Sequence, residues 1–362
     1  MPDGAVHSPL TEARPEGSPS DNGRHEMIVT LLPWLKLALC IILIGLSGPA
    51  LIRYGDLIAQ LTGLSRSWIG LVLIATATSL PELFTGVSAV TVADAPNIAV
   101  GDALGSCVFN LAMLVLLDEL SRREPMYRRI DQGHLLTAGF GVILISAAGA
   151  FLLLSQNGLK LQVLHVSLYT PLILIIYIVA MRAAFVYERQ ARRPLPAAEA
   201  ETAIGLRGAI LRYLAAAAVV VVAGVWLPFV GQEIAETMGW KTSFVGTLFI
   251  AAATSVPELV VTLSALRLGA VDLAIGNLLG SNLFDIVVLA IDDIAYRKGS
   301  LFAAVSPAHA ITAFAAAIMS GIFIVAMLYK PETRLGGIIG WVSLSLLVVY
   351  LFSAYAIYLL GH

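Results

Sequence analysis

The chain has 362 residues, of which 58% are hydrophobic and 13% charged, with a formal net charge of −2 and a mean hydropathy of +0.87. A soluble globular domain carries roughly 25% charged residues, so a soluble fold is excluded, and the near-neutral balance gives no electrostatic basis for binding nucleic acid. Apolar runs of about 20 residues suffice to cross a bilayer, which predicts an all-α, polytopic membrane protein with the lipid bilayer as its environment.

Residues 1–27 are rich in Pro, Gly, Ser and charge and are expected to form a disordered N-terminal tail. They lack the short apolar core and small-residue cleavage site of a signal peptide. Ten transmembrane spans are then predicted, at 30–53, 68–91, 96–119, 132–155, 163–186, 207–230, 242–265, 271–294, 303–328 and 336–360. The longest polar connection, 187–206, divides them into a first five-helix repeat (28–186) and a second (207–362). Most of the 22 Lys and Arg fall on the face that receives this linker, among them Arg122, Arg123, Arg189, Arg192 and Arg193. The positive-inside rule makes that face cytoplasmic, so the linker is expected inside, both termini outside, and the membrane to be a prokaryotic-type inner membrane. Cys40 and Cys107 lie in apolar runs, which indicates no disulfide framework. His165 and His309 stand near span starts and read as interfacial residues.

Two segments repeat one another. Residues 74–110 read IATATSLPELFTGVSAVTVADAPNIAVGDALGSCVFN and residues 250–285 read IAAATSVPELVVTLSALRLGAVDLAIGNLLGSNLFD. Glu82 and Glu258 are 176 residues apart, and Ser106 and Ser281 are 175 apart. That period is half the bundle. Five spans is an odd number, so the second half must enter the membrane from the opposite side, which predicts two inverted five-helix repeats with a site near the bilayer midplane.

In Thr78-Ser79-Leu80-Pro81-Glu82, Pro81 cannot donate a backbone hydrogen bond and clashes with the preceding turn. Carbonyls near Ala77 and Thr78 lose their helical partners, and a hard cation is a suitable replacement in a membrane. Glu82 follows Thr78 by four residues and shares its helix face. Thr254, Ser255, Pro257 and Glu258 offer the same arrangement. A lone Pro in a membrane helix reads as a packing kink; two at matched positions, each followed by Glu, read as a site. Ser106 with Asn110, and Ser281 with Asp285, are again four apart, and Gly105 and Gly280 permit close helix approach. Together these groups supply two Glu, one Asp, an Asn amide, hydroxyls and carbonyls. Six to eight oxygens suit Ca²⁺ and smaller sets suit Na⁺, while the lack of soft ligands argues against copper or zinc.

These two segments resemble the α-repeats of the cation/Ca²⁺ exchanger superfamily, above all its Na⁺/Ca²⁺ exchanger branch. The resemblance implies a central divalent site made by Glu82 and Glu258 with the Thr78 and Thr254 carbonyls. It implies flanking monovalent sites that add the Ala75 and Ala251 carbonyls with Ser106 and Ser281, and it places Asn110 and Asp285 in the middle. Ser79 and Ser255 belong to the same motif. The chain departs from the family pattern at Ala77 and Ala253 (usually Gly), at Asp102 (usually Asn) and at Cys107 (usually Asn). Asp118 and Asp293, each eight residues past the cage residue, read as interfacial carboxylates, whereas Asp102 lies on the approach to the site.

The function expected is therefore secondary active antiport of Ca²⁺ against Na⁺ by alternating access. The ions are substrates and no cofactor is expected; ATP should not be needed, since no Walker-type glycine loop is present. An alternative is Ca²⁺/H⁺ or other cation/H⁺ exchange, with Asp285 as the titrating group. An enzyme is not expected, because no paired nucleophile and base or metalloprotease His motif occurs, and a passive channel would leave the duplicated cage unexplained.

Overall fold

The computed structural model describes residues 19–61, 75–120, 126–128, 130–158, 161–191, 204–267, 271–331, 334–335 and 339–361. In chain order these form α1 (Pro19–Leu61), α2 (Ala75–Thr78), α3 (Leu80–Thr91), α4 (Pro96–Leu120), α5 (Gly133–Gln156), α6 (Tyr169–Ala191), α7 (Leu206–Met238), α8 (Thr242–Val245), α9 (Ala251–Thr254), α10 (Val256–Arg267), α11 (Val271–Ala295), α12 (Leu301–Ala304), α13 (His309–Tyr329) and α14 (Trp341–Leu360). A π-helical stretch, Gly246–Ile250, joins α8 to α9. Among the described residues, eight helices are long and apolar enough to cross a membrane, and the bent pair Thr242–Thr254 and Val256–Arg267 makes a ninth. The protein is an all-α, multi-pass membrane protein. The remaining expected span, 68–91, starts in residues 68–74, which lie outside the described residues. From Ala75 onward it shows the same break as its counterpart.

Four helix starts differ from the sequence reading. α1 begins at Pro19, inside the stretch expected to be a disordered tail, whose residues 1–18 lie outside the described residues. Proline is tolerated in a first helical turn, where its missing N–H has no partner to lose. The fifth and tenth spans start later than expected, at Tyr169 and Trp341. Each is preceded by a two-residue antiparallel hairpin, Gln162–Val163 with Val166–Ser167 and Arg334–Leu335 with Ile339–Gly340. The ninth span starts at His309, because Ser306-Pro307 separates it from the one-turn α12.

The halves are assembled reciprocally. The first helices of each half, α1 and α7, pack on one another. Leu37, Cys40 and Ile44 meet Ala223, Leu227, Val230 and Ile234 in one buried cluster, at the 3–4 spacing of a helical seam. Lys36 Nζ within α1 is neutralised by Glu233 of α7 at 2.6 Å. The third helices α4 and α11 pair, as do the fourth helices α5 and α13. Contacts between non-equivalent elements come in mates: α14 on α4 and α6 on α11, α13 on α4 and α5 on α11. Paired contacts of this kind, i with j and j with i, are those of a two-fold relation.

Polar clamps repeat the relation. Asn97 Oδ1, in the first turn of α4, accepts the Ser306 N–H at 2.7 Å and meets His309 Nε2 at 3.2 Å. Asp272 Oδ1, in the first turn of α11, accepts the Asp131 N–H at 2.7 Å and meets His134 Nε2 at 3.2 Å. His309 is fully buried rather than interfacial. Asp118 and Asp293 are likewise buried rather than interfacial, because each holds the start of the other half's last helix. Asp118 Oδ2 accepts the Ser343 hydroxyl at 2.6 Å. Asp293 accepts the Thr170 hydroxyl and the Ser167 and Leu301 backbone N–H groups, the last two at 2.8 Å.

Asp293→Ala is expected to be among the most destabilising substitutions outside the site. It orphans three buried donors, each costing roughly 1–3 kcal/mol. Thermal unfolding of the detergent-solubilised protein should shift down by many degrees, and a shift no larger than that of an exposed control such as Asp94→Ala would show that the clamp is dispensable.

Candidate functional site

The two broken helices stop and restart where the motif repeats. Ser79 (φ −90°, ψ 14°) and Ser255 (φ −78°, ψ 10°) both sit in the sparsely populated bridge region between their half-helices. The break therefore lies two residues before each proline. Pro81 and Pro257 fall in the first turn of α3 and α10, where a missing N–H costs nothing. Glu82 and Glu258 occupy that same turn, where the helix N-terminus favours a carboxylate. Each break is held by a glycine from the other half. Gly48 of α1 seats Pro257, whose Cβ would lie 3.1 Å from a Cβ at that glycine. Gly224 of α7 seats the Pro81 carbonyl, 3.2 Å from a Cβ placed there. Gly105 of α4 lies against the Thr247 carbonyl of the π-helical stretch, and a Cβ there would also fall 2.8 Å from the Ala251 Cβ. Stretches of π-helix inside membrane helices are frequent at functional sites.

Thr78, Ser79, Glu82, Ser106, Asn110, Thr254, Ser255, Glu258, Ser281 and Asp285 are all buried. Ser79 Oγ donates to Glu258 Oε1 at 3.4 Å, and Ser255 Oγ donates to Glu82 Oε1 at 3.4 Å. Ser281 Oγ adds a bond to Glu258 Oε1 at 3.2 Å and stands 3.5 Å from Thr78 Oγ1. In the middle, Asn110 Nδ2 donates to Asn282 Oδ1 at 3.1 Å, while Cys107 Sγ meets Asp285 Oδ2 at 3.7 Å. Cys107 and Asn282 are equivalent positions, so this too is a reciprocal pair. The structure thus brings the predicted side chains together from both halves.

The carbonyl ligands are placed less completely. The Ala251 carbonyl accepts the Ser255 N–H at 3.0 Å and lies 3.1 Å from the Thr254 hydroxyl. Ala75 opens α2, and its side chain is not among those described.

The arrangement is rich in unsatisfied oxygen. Glu82 Oε2, Glu258 Oε2, Asp285 Oδ1, Asn110 Oδ1 and Ser106 Oγ are buried without a hydrogen-bond partner among the described residues. Buried polar atoms left unpaired are costly, and oxygens of these kinds are the ligands a hard cation takes. Among the described residues no three His, Cys, Asp or Glu side chains converge closely enough to hold a metal by themselves. The buried groups nearby also include hydroxyls and an amide. The hydrogen bonds at 3.2–3.5 Å are weak ones, and a ligand oxygen can give them up at small cost.

Asp102 also belongs to the site. Its Oδ1 accepts the Thr254 hydroxyl at 2.8 Å and its Oδ2 has no partner among the described residues. The substitution of Asp for Asn at this position was the signal for it in the sequence. Asn282, which braces Asn110, escaped that reading, since its role depends on which residue faces it across the two-fold relation.

The sodium/calcium exchanger protein family matches residues 32–187 and 208–359. The inner membrane protein YrbG of Escherichia coli is 25% identical over 282 residues, covering 73% of this chain and 84% of that protein. The sodium/calcium exchanger MaX1 of Methanosarcina acetivorans is 25% identical over 273 residues, covering 66% and 75%. A structure of the sodium-calcium exchanger NCX_Mj, soaked with Na⁺ and Sr²⁺, superposes with a TM-score of 0.57 at 21% identity, covering 90% of this chain and 99% of that one.

Proposed function

This chain belongs to the sodium/calcium exchanger protein family, and we propose that it is a secondary active antiporter exchanging Ca²⁺ for Na⁺ by alternating access. One observation carries the reading: Glu82 and Glu258, cross-braced by Ser255 and Ser79 of the opposite half, each keep a buried oxygen without a partner among the described residues. Two ionised Glu balance one Ca²⁺. The Thr78 and Thr254 carbonyls are proposed to complete that divalent site, the Ala75 and Ala251 carbonyls with Ser106 and Ser281 to form flanking Na⁺ sites, and Asn110 and Asp285 to line the middle. The role is transport rather than catalysis, in line with relatives named as exchangers.

The halves 28–186 and 207–362, joined by the linker 187–206, are proposed to be inverted repeats whose rocking opens the cage to alternate faces. Their reciprocal packing supports this. The proposed setting is a cell inner membrane with the linker in the cytoplasm and both termini outside.

Proton coupling is the second reading, favoured by the two extra carboxylates Asp102 and Asp285 at a site that two Glu already neutralise. The test is radiolabelled Ca²⁺ uptake into proteoliposomes under an imposed Na⁺ gradient, repeated under a pH gradient. Uptake is expected with the Na⁺ gradient. Uptake driven by the pH gradient and not by Na⁺ gives the assignment to proton coupling.

A further inference from the structure

One buried carboxylate lies outside the cage and has no counterpart in the other half. Asp292 of α11 is fully buried, and neither of its oxygens has a hydrogen-bond partner among the described residues. The ion pairs among those residues do not include it. Its neighbour Asp293 is fully engaged with Ser167, Thr170 and Leu301, so the two adjacent carboxylates do different work.

Asp292 rests on Gly86 of α3, where a Cβ would fall 2.8 Å from its Cγ and collide with its Oδ2. Gly86 follows Glu82 by four residues and shares its face. Asp292 follows Asp285 by seven, two turns along one face of α11. The carboxylate therefore sits about 6 Å along α3 from Glu82 and about 10 Å along α11 from Asp285, at 1.5 Å rise per residue. The other half offers nothing similar: the positions equivalent to Gly86 and Asp292 are Thr262 and Leu117. The two-fold relation makes the two sides of the cage equivalent in most respects, and here they differ by a charge.

A single buried carboxylate without a partner calls for one positive charge. A metal cation can engage both oxygens. We propose that Asp292, seated against Gly86, is a one-sided site for a monovalent metal cation, Na⁺, next to the Glu82–Asp285 cage. The proposal rests on the cage being a cation-exchange site. Na⁺ held there can step between Asp292 and the cage on one side only, which would make Na⁺ dependence differ between the two membrane faces.

The test uses the full chain in detergent and in oriented proteoliposomes, with Na⁺ as the probe. Asp292→Leu installs the residue found at the equivalent position. Its Ca²⁺-dependent thermal stabilisation should match the parent's. The Na⁺ concentration giving half-maximal stabilisation should rise about tenfold, the change that roughly 1.4 kcal/mol makes, and the Hill slope for Na⁺ should fall. In proteoliposomes the loss should show when Na⁺ is varied on one face and not on the other. Asp292→Asn, which keeps the shape, serves if the Leu variant fails to fold, and Gly86→Ala should weaken Na⁺ in the same sense by filling the seat. Unchanged Na⁺ dependence in folded Asp292→Leu or Asp292→Asn overturns the proposal. So does a change confined to pH dependence, which would make Asp292 a proton carrier. A parent protein stabilised by neither Na⁺ nor Ca²⁺ brings down the exchanger reading itself, a different outcome from a responsive parent with an indifferent variant.

Discussion

Glu82→Gln and Glu258→Gln are each expected to abolish Ca²⁺ transport while leaving the protein folded and inserted. Gln keeps the size of Glu and can still accept the weak bond from the facing serine, Ser255 for Glu82 and Ser79 for Glu258. What it removes is charge. A divalent ion among hydroxyls and carbonyls in a low-dielectric site needs compensating negative charge. A charge misplaced at the bilayer centre costs roughly 2.5–3.5 kcal/mol on insertion scales, and such a loss weakens binding by about a hundredfold or more. Folding should not suffer comparably, because each carboxylate keeps an oxygen without a partner among the described residues and its removal breaks no short hydrogen bond. The measurements are Ca²⁺ flux in proteoliposomes and thermal unfolding without added ions. High-affinity Ca²⁺ exchange retained in either variant would remove that residue from the central site.

That the paired motif side chains lie buried beside the two helix breaks was legible in the sequence, because the duplication wrote the same chemistry twice at fixed offsets. The Pro-Glu pair, the Ser one turn before Asn110 or Asp285, and Gly105 each announced a local geometry that the fold delivers. What stayed hidden depends on register between halves. His309 looked interfacial because nothing in its neighbourhood reveals that Asn97, more than two hundred residues away, meets it at 3.2 Å. Asp118 and Asp293 looked interfacial for the same reason, since their partners start helices of the opposite half. The hairpins before α6 and α14 are two residues per strand, too short for any period-two pattern to stand out against an apolar run.

The repeated clamps also show where the halves have diverged. At one end of the two-fold relation His134 meets Asp272, whose side chain is 54% exposed. At the other His309 meets Asn97 in a fully buried setting for the imidazole. Exposure permits a charged partner and burial selects a neutral one. The halves differ in another way at Asp102 against Asn277, Asp285 against Asn110 and Asp292 against Leu117, where one half buries a carboxylate and the other does not: an architecture that repeats, carrying acidic groups that do not.

Asp285→Asn tests that asymmetry at the centre of the cage and is expected to preserve substantial exchange. If both Glu are ionised, bound Ca²⁺ balances them as +2 against −2. A third ionised carboxylate would leave the cage with one excess negative charge in hydrocarbon, which is unfavourable. Asp285 is therefore expected to carry a proton, or to ionise only when an additional cation enters, and its titration belongs to the coupled group rather than to one residue. The geometry favours the exchange of residues. Asn110 already presents Oδ1 without a partner among the described residues while its Nδ2 is held by Asn282, and Asp285 presents Oδ1 in the same way while its Oδ2 meets Cys107. An Asn at 285 can keep the inward oxygen and turn its amide nitrogen toward Cys107, making the two halves alike. Flux should remain within about tenfold of the parent, a change of roughly 1.4 kcal/mol, and any pH dependence due to this group should flatten. Asn110→Asp does the opposite: it adds a carboxylate and should favour binding of a further cation or shift selectivity. The measurement is flux against pH for both variants beside the parent. Loss of exchange at every pH in a folded, inserted Asp285→Asn protein would show that Asp285 acts as an anion during transport, and the charge count of the cage would then have to include it.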